Sequence, residues 1–116
     1  MHNFKELKIW QHARVLVKKA YLLVGDLPKD EKFNLVSQIQ RAAVSIPLNI
    51  AEGSGKSSNK DFCRFLEMSI SSAFELETLI ILSNDLMLIS DRKKDEIIIE
   101  INELQKMIYG FMKTLK

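Results

Sequence analysis

Gly53-Ser54-Gly55-Lys56-Ser57 has the residue types of a phosphate-binding loop. Glycines let backbone N–H groups close on phosphate oxygens, and a lysine neutralises them. The complete pattern needs a further glycine at position 50, which is Ile50, and a strand before it, where this chain reads as helix. The segment therefore reads as a helix–helix connection, and no nucleotide hydrolysis is expected of it. A weaker capacity survives: the N–H groups at the start of the following helix, beside Lys56 and Lys60, suit one phosphate of a polymer. Metal chemistry in a helical protein needs converging carboxylates and Glu-x-x-His pairs. The histidines are His2 and His12, and neither has Glu three residues before it. Glu75 and Glu77 stand about 200° apart around a helix, so they do not converge. Cys63 lies between Phe62 and Phe65 with no histidine nearby, and reads as a packing residue rather than a nucleophile. Trp10 and Tyr21 fall on an apolar stripe, which favours packing over base stacking. No catalytic residue, metal site or cofactor is expected.

The elements that carry these residues follow from punctuation and periodicity. Breaks at Gly25-Asp26-Leu27-Pro28, at Gly53–Asn59 and around Asn84–Asp91 leave four segments, near 5–25, 30–52, 58–87 and 91–115. Each repeats its apolar residues at helical steps. The last is the cleanest, with Ile97, Ile101, Leu104, Ile108, Phe111 and Leu115. The first carries two adjacent stripes, Leu7/Trp10/Arg14/Val17/Tyr21/Val24 and Ile9/Ala13/Leu16/Ala20/Leu23. A bundle helix needs one such stripe, so Ile9, Leu16 and Leu23 are predicted to meet neighbouring subunits of a homo-oligomer. Pro28 or Asp30 can open the second helix, and Pro47 should bend it. Gly53 suits a left-handed cap at its end. Ser58-x-x-Asp61 resembles a capping box for the third helix, and Asp91 can cap the fourth. Short connections predict one all-α domain over 1–116, an antiparallel up-down-up-down four-helix bundle.

Composition narrows the function classes. In 116 residues, 47% hydrophobic and 28% charged, there is material for one core and no second domain. A single cysteine points to a reducing cytoplasm, and no apolar run has the length of a membrane span. The net charge of +2 is unevenly spread: residues 1–66 hold 11 Lys/Arg against 6 Asp/Glu, and residues 67–116 hold 6 against 9. The basic half attracts nucleic acid or an acidic partner. In an up-down bundle the second-to-third connection returns to the end where the first helix starts. Lys5, Lys8, Lys56 and Lys60 are therefore predicted to cluster at one end, with Arg14 and Arg64 extending the surface.

The second helix carries a polar line, Gln38, Arg41, Ser45, Asn49 and Glu52, along one face. It reads equally as a solvated face or as a half-buried network against another helix or subunit. The block Gln38–Gly53 that contains this line strongly resembles the signature of the four-helix bundle proteins encoded within intervening sequences of bacterial 23S ribosomal RNA genes. Phe4-Lys5-Glu6-Leu7-Lys8-Ile9-Trp10-Gln11, Lys60-Asp61-Phe62-x-x-Phe65-Leu66 and Glu75-Leu76-Glu77-Thr78 resemble it too. Gln40 stands where that family often has a second arginine, and Ser71-Ser72 where it usually has Gly-Ser. The resemblance implies a ring-like homopentamer without enzymatic activity. It extends to the accessory protein of diversity-generating retroelements, a pentameric bundle that works with nucleic acid. Two readings follow: an oligomeric bundle binding RNA or DNA through a basic surface, or a structural oligomer whose partner is another protein.

Overall fold

Four amphipathic helices account for most of the chain: α1 (Lys8–Val24), α2 (Ser37–Ser54), α3 (Asn59–Asp85) and α4 (Asp91–Thr114). The computed structural model describes residues 2–116, with the side chains of residues 32 and 33 outside that description. Each helix packs on the next, and α4 closes back on α1, which gives the antiparallel up-down-up-down arrangement. The bundle measures 44 × 24 × 19 Å. Its length is that of α3, whose 27 residues rise about 1.5 Å each.

Local chemistry sets most of the boundaries. A 3-10 turn (Phe4–Glu6) precedes α1, with the Asn3 side chain accepting from the Lys5 N–H at 3.2 Å. After Pro28 the chain enters a 3-10 turn (Lys29–Glu31) and a π-helical turn (Lys32–Val36) before α2 proper begins. The opening expected at Pro28 or Asp30 is thus helical but not yet α. Pro47 does not end α2, which runs unbroken to Ser54. Ser58 caps α3 by accepting from the Asp61 N–H at 3.1 Å. The cap of α4 is Ser90, which accepts from the Lys93 N–H at 3.2 Å, rather than Asp91. Asp91 instead accepts from the Asn84 amide at 2.8 Å and ties the two helices together.

Gly53 departs from its predicted role. The helix continues past it, and Gly55 after the last turn stays right-handed with φ −86°. Gly53 matters for proximity: a Cβ built there would lie 2.7 Å from the Phe65 Cβ and 2.9 Å from Phe62 Cδ1. Among the described residues the left-handed one is Met87, with φ 62°, after α3. Its N–H reaches the Asn84 carbonyl at 2.8 Å, and the Leu88 N–H reaches the Ser83 carbonyl at 2.9 Å. This pairing is a Schellman closure, in which glycine is the usual occupant. Met87 is 90% exposed, so its side chain contributes little packing to offset the backbone cost. Met87→Gly should stabilise the protein by about 0.5–1 kcal/mol, read as a rise in the urea midpoint.

The core includes Ile39, Ile46, Ile50, Phe62, Leu66, Leu76, Ile80, Ile101, Leu104 and Ile108, all nearly inaccessible. Among the described residues, no buried side-chain nitrogen or oxygen lacks a hydrogen-bond partner. Ser69, inside the α2–α3 seam, donates to the Ile46 carbonyl at 2.9 Å. The predicted phase of α1 requires correction. Ile9, Leu16 and Leu23 are 3%, 2% and 8% exposed and face this chain's own core, so they are not available to another subunit. Ala13 and Ala20 on the same stripe are fully buried, and their small size lets α1 approach its neighbours closely. Val15, Tyr21 and Leu22 are the large apolar side chains that α1 leaves exposed.

Candidate functional site

Antiparallel topology brings three separate parts of the chain to one end of the bundle. The His2 N–H donates to the Ser54 carbonyl at 3.0 Å, which places the N-terminal turn against the end of α2. The Asn59 side chain donates to the Leu115 carbonyl at 3.1 Å, which places the end of α4 beside the start of α3. The segments that carry Lys5, Lys8, Lys56 and Lys60 therefore meet at this end. Lys56 Nζ and the Arg64 guanidinium both lie 4.9 Å from the centre of the Phe65 ring. Arg64 also approaches Asp61 at 3.9 Å. Lys60, Arg64 and Lys116 line a recess of about 520 Å³ together with Asp61, Cys63 and Glu67.

Among the described residues, Lys5, Lys8, Lys56 and Lys60 pair with no carboxylate. Elsewhere cations are neutralised across the α1–α4 groove, Lys19 by Glu100 and Lys93 by Asp26. Lys8 is the first residue of α1, and Lys60 follows the first residue of α3. Cations at helix N-termini oppose the helix dipole, so these positions do not serve helix stability. Lys116 belongs to the same end, although a count of charge by halves assigns it to the acidic part. The signal was topological, since α4 must finish where α1 begins.

Arg14 continues the surface along α1. Its guanidinium lies 5.5 Å from the Trp10 ring centre, and Trp10 meets Phe4 edge-on at 5.1 Å. Lys5 Nζ stands 6.0 Å from the Phe4 ring. Phe4 was legible only as part of the motif at residues 4–11, because its contact with Trp10 depends on how the N-terminal turn folds back. That turn is held by the Gln11 side chain, which donates to the Lys5 carbonyl at 2.9 Å.

The polar line on α2 opens onto a second surface, a broad cleft of about 860 Å³. Gln38, Arg41, Ser45, Asn49 and Glu52 all line it, facing Ser72 and Glu75 of α3 and Tyr21 of α1. Both readings of the line hold in part. Ser45 and Ser72 share a hydroxyl–hydroxyl bond of 2.8 Å, and Asn49 donates to the Ser45 hydroxyl at 3.1 Å and carbonyl at 2.9 Å. Gln38, Arg41 and Glu52 are exposed at the rim. Ser71, where a glycine was the expected family residue, points to solvent, while Ser72 makes the contact with α2. Glu75 and Glu77 diverge as their spacing requires: Glu75 lines the cleft, and Glu77 accepts from Gln105 at 3.1 Å.

These features define a class, an all-α four-helix bundle whose distinctive polar groups lie on its surface. The model of the 23S rRNA-intervening sequence protein family matches residues 5–110, and the chain belongs to that family. A crystal structure of a protein of unknown function from the S23 ribosomal protein family of Bacteroides thetaiotaomicron VPI-5482 has the same fold. It matches with a TM-score of 0.81 and 21% identity, over 90% of this chain and 98% of that one. No curated protein matches the chain.

Proposed function

We propose that this protein is a non-enzymatic, oligomeric helical bundle of the cytoplasm that binds structured RNA or a nucleic-acid complex through its basic end. The observation that carries the reading is the gathering of Lys5, Lys8, Lys56 and Lys60, without carboxylate partners among the described residues, where the two termini and the α2–α3 connection meet. One chain offers few phosphate contacts. Repetition around a ring, with five subunits favoured by the family resemblance, multiplies them without any deep site. The resemblance to the accessory protein of diversity-generating retroelements supports a nucleic-acid complex as the target. The free Cys63 suits a reducing compartment.

A second reading, a structural oligomer that scaffolds other proteins, is favoured by the exposed Val15, Leu22 and Ile99, of which Leu22 and Ile99 line the α1–α4 groove. Binding to a structured RNA measured over a salt series separates the two. The expected result is an assembly larger than a monomer by light scattering, whose log affinity falls by about 0.7–0.9 per neutralised phosphate for each decade of salt. An oligomer that binds no RNA at low salt would replace the first reading with the second.

A further inference from the structure

Phe4 and Trp10 form a half-exposed aromatic pair bracketed by cations, with Lys5 over one ring and Arg14 over the other. We infer that this pair is a stacking platform for an unpaired base of single-stranded RNA, continuous with the basic end; the inference rests on the nucleic-acid reading above. Three observations favour that occupant. Phe4 stands outside the main core cluster, so its ring is not committed to filling the interior, and Trp10, which packs against that cluster as its place on the apolar stripe requires, stays half-exposed. Lys5 and Arg14 are exposed, free to exchange their ring contacts for the phosphates on either side of a stacked base. The platform is also preorganised. The Leu7 N–H reaches the Phe4 carbonyl at 3.0 Å, and Gln11 clamps the Lys5 carbonyl, so little ordering remains for binding to supply.

A base inside a duplex is stacked on both faces and cannot use such a surface, whereas every unpaired base presents a free face. The platform therefore adds a preference for single strands to the sequence-independent attraction of the lysines. Trp10 is the only tryptophan in the chain, so its fluorescence reports the contact directly.

The test compares a uridine-rich single strand of about 20 nucleotides with a blunt duplex of equal length, at about 50 mM salt. The expected result is quenching of Trp10 emission that saturates together with single-strand binding, and duplex binding that leaves the emission unchanged. Phe4→Ala should weaken single-strand binding about tenfold and leave duplex binding and helicity as they were. Single-strand binding without quenching, or equal loss of both ligands in Phe4→Ala, would overturn the platform and leave the basic end standing. Failure of the parent protein to bind either RNA would overturn both.

Discussion

Gly53→Ala should cost this bundle about 2–3 kcal/mol, although alanine is the better helix former by about 1 kcal/mol. Gly53 is buried in the last turn of α2, against the first turns of α3. Its added methyl would meet the Phe65 Cβ at 2.7 Å, Phe62 Cδ1 at 2.9 Å and the Phe62 carbonyl oxygen at 3.3 Å. Two of those atoms are fixed to the α3 backbone and cannot swing aside. The third belongs to a ring packed at 5.5 Å against Phe111. Relief requires α2 and α3 to separate, which loosens the seam holding the Ser69–Ile46 bond. Against a total stability of about 5–15 kcal/mol, such a loss is large. Urea denaturation followed by circular dichroism gives the number, as a lower midpoint at unchanged slope. Gly110→Ala is the internal control. Nothing lies within 4 Å of a Cβ at that helical position, so the same substitution there should stabilise by about 0.5–1 kcal/mol. Equal effects at the two glycines would show that the α2–α3 approach is not the constraint described.

Reversing Lys8, Lys56 and Lys60 to Glu should reduce RNA affinity at least 100-fold at about 100 mM salt. Each phosphate contact supplies roughly 0.7–0.9 of a decade in affinity per decade of salt, and three are removed before any repulsion from the new carboxylates. In an oligomer the loss repeats in every subunit and removes avidity as well. The fold should tolerate the change. Lys8 and Lys60 are exposed in the first turns of α1 and α3, where glutamate suits the helix dipole better than lysine. Lys56 gives up a ring contact worth about 0.5–1 kcal/mol. The triple variant is therefore expected to keep parental helicity and assembly, measured by circular dichroism and light scattering, while fluorescence anisotropy shows the lost affinity. Parental affinity at low salt would refute the basic-end reading.

The glycine effect was hidden from sequence, whereas the lysine cluster was legible in it, and the contrast shows where each kind of information resides. Helix type and the approximate ends of the elements are local properties. The 3.6-residue recurrence of Ile97, Ile101, Leu104 and Ile108, the serine before α3 and the break around Asn84–Asp91 need no partner to be read. Once four helices and short connections are established, antiparallel packing alone returns Lys56 and Lys60 to the end that holds Lys5 and Lys8. The polar line of α2 was also visible, because Gln38, Arg41, Ser45, Asn49 and Glu52 repeat at helical steps.

Tertiary structure alone decided how each helix is rotated and what it touches. The two stripes of α1 have the same period and differ only by about 100° in phase, so periodicity could not choose between them. The inward choice went to Ile9, Leu16 and Leu23, whose intervening alanines permit close packing. The same holds for Gly53, whose significance is the distance to Phe62 and Phe65 on another helix rather than a backbone angle of its own. It holds for Ser45, which joins Ser72 across the α2–α3 seam while Arg41 on the same line stays exposed. Periodicity reports the angle of a residue around its own axis. Contact depends on the phase and separation of two axes, and those are set by the packing of all four helices at once.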